Sequence, residues 1–234
     1  MSDGLSANLD KDGVWREVFP QARCGGPALF LDRDGVVVEE VNYLSRVEDV
    51  AVIDGAVKAI AAANACGIPV ILATNQAGIG RGYYGWGEFA AVQAAILGEL
   101  GRTGARIDAV YACPHHPEAL PPYRHPNHPA RKPNPGMLLR AAAELNLDLG
   151  KSWLVGDKSA DIEAARGASL AGALHVLTGH GAEQRAAVTV LEAPYLQVRL
   201  GRSIEDAIEL IPLLARVQPT LPDKTSRTRR STRR

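Results

Sequence analysis

Short apolar runs alternate along this chain with longer segments of helical periodicity. Ala28–Leu31, Ile68–Ala73, Ile107–Ala112, Ser152–Gly156 and Ala171–Leu177 are nearly continuous hydrophobic stretches. Strands covered on both faces read this way, whereas half-exposed strands alternate apolar with polar. Between the runs the pattern predicts an Ala-rich helix that Asp54 caps and Gly67 stops. It predicts further helices from about Glu88 to Arg102, over Gly136–Leu145 with Pro135 in the first turn, and from Asp157 through Arg166. Ile204–Val217 reads as a final amphipathic helix. Val36–Ile53 reads as a loop with a short hairpin, and Gly78–Gly87 as a Gly-rich loop. Prolines and histidines interrupt residues 113–133 too often for regular structure. This alternation predicts an α/β fold, a doubly wound and mostly parallel sheet over 27–218. An irregular leader, weakly helical around Asp12–Val18, is expected at 1–26, and a disordered tail at 219–234.

Composition narrows the class. The 234 residues, 46% of them hydrophobic, suit one globular domain. No apolar run reaches the roughly 18 residues of a membrane span. No basic-then-apolar leader marks a signal peptide, so cytoplasmic residence is expected. The net charge of zero conceals an uneven distribution. Six basic residues, from Lys224 to Arg234, fall where no acid occurs, which leaves the rest of the chain with about six more acids than bases. Such a tail is expected to be solvated, with nucleic-acid contact as the alternative. Three cysteines make no disulfide framework, and only Cys113 lies among histidines.

The chemistry gathers where the predicted strands end. Asp32 and Asp34 follow the first strand, Thr74 and Asn75 end the second, and Asp157 and Lys158 follow the fourth. Arg131 and Lys132 precede the helix after the third strand, and Asp161 lies one turn into the helix after the fourth. In open parallel sheets ligands bind at the carboxyl ends of strands. Singly, each residue is ordinary: a helix cap, a turn residue, a solvated charge, an answer to the helix dipole. Together, carboxylates suited to Mg²⁺ and donors suited to phosphoryl oxygens point to phosphoryl transfer through an aspartyl nucleophile.

Asp32-Arg33-Asp34-Gly35, Thr74-Asn75-Gln76, Arg131-Lys132-Pro133 and Gly156-Asp157-Lys158-Ser159-Ala160-Asp161 resemble, in this order, the four motifs of haloacid-dehalogenase-like phosphatases. Thr74–Gly82, Cys113-Pro114-His115-His116-Pro117 and Arg131–Leu138 are similar to the D-glycero-D-manno-heptose 1,7-bisphosphate 7-phosphatases and the related histidinol-phosphate phosphatases. The resemblance runs from about Ala28 to Gly181. It implies that Asp32 is the nucleophile and Asp34 the general acid and base. It implies Mg²⁺ on Asp32, the Asp34 carbonyl and Asp157, and transferring oxygens held by Thr74 and Lys132. Asn75 and Arg131 are implied at the substrate. The intervals between motifs hold no large cap domain, so selectivity is expected from loops, including a flap with Glu39, Asn42 and Tyr43. A small sugar phosphate, heptose bisphosphate ahead of histidinol phosphate, and a monomeric state are the resulting expectations.

In this subfamily a structural Zn²⁺ is usually held by Cys-x-His and a later Cys-x-Cys. Here Cys113 and His115 match the first pair, but His128 and Ala130 replace the second. With His125 nearby, a Cys113, His115, His125 and His128 site is the corresponding expectation. The alternative is a metal-free loop stiffened by its prolines. Two rival functions share some features. A receiver domain also uses acids, Thr and Lys, but without the Asp-x-Asp spacing. A nucleic-acid end phosphatase or binder would use the basic tail, though the body lacks a basic groove with interleaved aromatics.

Overall fold

The three-residue strand that leads into Asp32 lies at the centre of the sheet. In this computed structural model, residues 7–191 and 194–215 are described. The elements in chain order are β1 (Trp15–Val18), β2 (Leu29–Leu31), α1 (Asp54–Ala65), β3 (Val70–Asn75), α2 (Ala77–Gly80), α3 (Trp86–Arg102), β4 (Ala109–Cys113), α4 (Gly136–Leu145), β5 (Trp153–Gly156), α5 (Ser159–Gly167), β6 (Gly172–His175), α6 (Gly181–Val188), β7 (Gln197–Leu200) and α7 (Ala207–Leu210). The sheet order is β1-β4-β3-β2-β5-β6-β7. β1 runs antiparallel to β4, and every other pairing is parallel.

Strand periodicity divides the core into two layers. Leu29, Leu31, Leu72, Val110 and Val155 face α1 and α3, where Ile60, Phe89, Val92 and Ile96 are buried. Phe30, Ile71, Ala73, Tyr111 and Leu154 face the opposite layer, with Met137 and Leu138 of α4 and Ile162 of α5. Burial on both faces is why the central strands appear in the sequence as unbroken apolar runs.

Three departures have identifiable causes. The leader is not irregular throughout: Trp15–Val18 form an edge strand rather than a weak helix. Trp15 is buried, with its ring 5.4 Å from Trp86 and 5.3 Å from Phe89, so packing on α3 decides its conformation. Helix α1 is capped by Ile53, with no side-chain cap bond, and Asp54 is its first residue. The expected final helix is cut to a 3₁₀ turn and α7, because Pro212 drives Ile211 into extended backbone. Helix α6 and edge strand β7 carry too little apolar pattern to be foreseen. The basic tail lies outside the described residues.

Candidate active site

Register brings the polar strand ends to one level. Leu31 pairs with Leu72 and Val155, so Asp32, Thr74 and Asp157 emerge side by side at the carboxyl edge. The Asp32 amide still donates to the Val155 carbonyl at 3.0 Å, which fixes the turn at its root. Beyond it Gly35 adopts φ +82°, and a Cβ there would meet Asp157 Oδ2 at 2.7 Å. A Cβ on Gly179, at φ +57°, would come closer still to the same oxygen. Two glycine backbones thus wrap the Asp157 carboxylate where any side chain would displace it.

The ionic arrangement is asymmetric. Lys132 Nζ lies 2.9 Å from Asp32 Oδ1 and 2.5 Å from Asp161 Oδ1, with all three groups buried. Burial acts to raise the Asp32 carboxyl, but Lys132 and Lys158 outweigh it and hold the group below its usual value. Burial also acts to lower Lys132, but Asp161 and Asp32 prevail and raise it. Asp157 has only a more distant ammonium, Lys158 Nζ at 3.8 Å from its Oδ2. Its Oδ2 accepts from the His180 amide at 2.8 Å, while its buried Oδ1 has no hydrogen-bond partner. Burial first, and then the charge on Asp32, push it up to about 7.

An unsatisfied buried carboxylate oxygen beside a second carboxylate calls for a cation. Asp32, Asp157 and Asp161 place ligand atoms within 4.8 Å of one another, and no other such group occurs among the described residues. Asp161 is already committed to Lys132. The Mg²⁺ expected from the sequence therefore fits beside Asp32 and Asp157. Without it, folding raises Asp157 from 3.8 to about 7, so the folded chain retains a proton that the unfolded chain releases across that window. Stability from this group is present at low pH and lost as pH rises toward 7. Mg²⁺ must displace that proton, so its affinity is expected to be about tenfold weaker near pH 6 than near pH 8. Calorimetric titration at the two pH values measures this.

Around the acids lies a cavity of about 240 Å³, lined by Asp34, Thr74, Asn75, Arg131, Lys132 and flap residues Asn42 and Tyr43, among others. Not every expected contact is made. Asn75 spends its amide on the backbone of Lys132, donating to its carbonyl at 2.9 Å and accepting from its N–H at 3.0 Å. It therefore sets the position of Lys132 while still lining the cavity. Arg131 donates to the His115 carbonyl at 2.9 Å and borders the cavity, as does exposed Asn42. In the flap, Glu40 rather than Glu39 lines the cavity, and its carboxylate lies 3.5 Å from Lys158 and 3.7 Å from His180. A bridge pairing Val38 with Val52 sets that register, which the sequence did not reveal.

The histidine loop departs from the expected tetrahedral zinc set. His115 stacks flat on His128 with centroids 3.7 Å apart, and Cys113 Sγ lies 3.9 Å from His128 Nδ1. Both ring nitrogens of His115 face carbonyl oxygens, of Asp12 at 2.8 Å and Tyr123 at 3.2 Å. The Nδ1 atoms of His125 and His128 accept backbone N–H groups of Asn127 and Ala130. Burial pushes the Cys113 thiol up to about 12. These four side chains are neighbours without converging on one ion. The contact of His115 with the Asp12 carbonyl ties the loop to the leader.

Known proteins share this sequence and this fold. Residues 129–198 match the HAD-hydrolase-like family model. A D-glycero-beta-D-manno-heptose-1,7-bisphosphate 7-phosphatase from Mesorhizobium japonicum is 46% identical, the match covering 72% of this chain and 78% of the relative. The chain belongs to the heptose-bisphosphatase branch of the HAD-like phosphatases. The corresponding alpha-named enzyme from Burkholderia mallei is 47% identical over 58% of this chain and 72% of its own. Among solved structures, an HAD-like phosphatase candidate from Mesorhizobium loti superposes with a TM-score of 0.79 at 38% identity, over 88% of this chain and 95% of its own. A D,D-heptose 1,7-bisphosphate phosphatase from B. bronchiseptica, complexed with magnesium and phosphate, gives 0.68 at 29% identity, over 78% of this chain and 96% of its own. This phosphatase thus shares its sheet with an enzyme solved with the ion and anion that its acids and lysine suit. No helix among the described residues is long and apolar enough to cross a membrane.

Proposed function

We propose that this phosphatase removes the 7-phosphate of D-glycero-D-manno-heptose 1,7-bisphosphate through an aspartyl phosphate, with Mg²⁺ as cofactor. The observation that carries this reading is the meeting of Asp32, Thr74, Lys132 and the unpartnered Asp157 oxygen at one sheet edge. The substrate assignment draws on relatives named for both the alpha and beta bisphosphates.

In this reading Asp32 attacks phosphorus in line, and the bond to the sugar oxygen breaks. Asp34 gives that oxygen a proton, then takes one from the water that attacks the aspartyl phosphate. Thr74 and Lys132 hold the transferring oxygens in a site that excludes most water. Arg131, with its planar fork, is placed for the second phosphate. Mg²⁺ held by Asp32, Asp157 and the Asp34 carbonyl would neutralise charge gathered at the phosphoryl group. A monomeric state and cytoplasmic residence belong to the same proposal, and sedimentation and cell fractionation test them.

Phosphate release should be measured with Mg²⁺ across both heptose bisphosphate anomers, histidinol phosphate and common hexose phosphates. The expected result is highest kcat/KM on one heptose bisphosphate anomer. A preference for histidinol phosphate would overturn the substrate assignment while leaving the chemistry intact.

A further inference from the structure

We infer that Arg33, Gln76 and Tyr84 form a clamp that positions the Asp34 carboxyl for proton transfer to the leaving oxygen. The inference rests on the aspartyl-phosphate reading above. Arg33 is fully buried between the two acids of its motif. Its Nε donates to Asp34 Oδ1 and its Nη2 to Oδ2, each at 3.0 Å, so the guanidinium grips both oxygens in one plane. The guanidinium carbon lies 5.3 Å from the centre of the Phe89 ring, which closes the far side.

Gln76 supplies the second half. Its Nε2 donates to Asp34 Oδ2 at 2.9 Å and to Thr74 Oγ1 at 3.0 Å. Its Oε1 accepts from the Tyr84 hydroxyl at 2.5 Å and from Arg33 Nη2 at 3.3 Å. Two donors on one end and two acceptors on the other leave the amide a single satisfactory orientation. Burial keeps Tyr84 protonated, hence a donor. Asp34 meets the cavity on one side and three N–H groups on the other.

Stability alone is a poor reason for this construction. A buried arginine costs several kcal/mol of desolvation, and apolar replacements of such pairs are often neutral or better. What the fork adds is a fixed plane for a side chain that must meet a leaving oxygen within hydrogen-bond distance. Arg33, Gln76 and Tyr84 are therefore positioning residues acting through Asp34.

The leaving group supplies a readout that a merely structural role would not move. A sugar alkoxide needs Asp34's proton to depart, whereas p-nitrophenolate does not. The quantity to measure is kcat/KM on heptose bisphosphate divided by kcat/KM on p-nitrophenyl phosphate. Asp34→Asn is expected to lower this ratio about 10²–10⁴-fold, the scale of general acid catalysis. Arg33→Lys, which keeps the charge but loses the fork, and Gln76→Met are expected to lower it about 10–100-fold. Tyr84→Phe removes one hydroxyl and should move the ratio in the same direction, which keeps the test alive if Arg33→Lys does not fold. Equal losses on both substrates in the clamp variants, with Asp34→Asn still lowering the ratio, would overturn the clamp. An unchanged ratio in Asp34→Asn would overturn the acid assignment itself.

Discussion

Replacing Asp32 with Asn is expected to lower kcat/KM by at least about 10⁴-fold, the scale seen when a covalent nucleophile is removed. An amide cannot attack phosphorus, and no neighbouring carboxylate can substitute. Asp161 is held by Lys132, while Asp157 faces the cation position between the glycine backbones. The loss should therefore be a loss of chemistry. Lys132 keeps its 2.5 Å partner Asp161, so the variant retains a compensated buried charge and should melt cooperatively near the parent temperature. Rapid acid quenching after mixing with ³²P-labelled substrate should trap label on the parent protein and none on Asp32→Asn. Near-normal turnover by the variant would refute the aspartyl-phosphate route.

The second large effect is expected from Lys132→Met, and it reaches stability as well as rate. Removing the ammonium leaves Asp32 and Asp161 buried without their shared partner. Breaking a buried ion pair from one side costs about 3–5 kcal/mol, which denaturant unfolding in EDTA would register. The two acids would also lose what holds Asp32 below its usual value, so the variant should recover stability toward acid pH, where protonation removes the uncompensated charge. Loss of a preorganised cation at the transferring oxygens should cost about 10²–10³ in kcat even where the fold survives. A Lys132→Met protein as stable as the parent at neutral pH would show that Asp32 and Asp161 do not depend on this ammonium.

The central strands, the two-layered core and the four polar strand ends were legible because parallel strands buried on both faces appear as apolar runs that stop abruptly at functional residues. What escaped were relations between distant segments. Asp161 is a first-turn acid in the sequence, and only the fold shows it opposite Lys132. Arg33 drew no role from the sequence, because nothing local reports that Phe89 and Gln76 will enclose it. Asn75 follows a threonine that faces the cavity, and its commitment to the backbone of Lys132 depends on how the insert returns. The Cys and His spacing of the insert was plain, but ring orientation is a tertiary property, and the rings turn toward carbonyl and amide groups. Trp15 was missed for the same reason: its strand exists because α3 offers two aromatic rings.

That edge strand bears on how the molecule is assembled during synthesis. Among the described strands β1 pairs with β4 alone, on the order of 100 residues further along, whereas β2 and β3 are neighbours in the sheet and separated by a short 3₁₀ turn and one α-helix. A nascent chain can therefore join β2 to β3 while Trp15 and Val14 still wait for a surface to cover them. The first of the described strands thus docks only after α3 and β4 have been made, carrying with it the Asp12 carbonyl that meets His115. The histidine insert reaches its final form only when the first and middle thirds of the polypeptide have met.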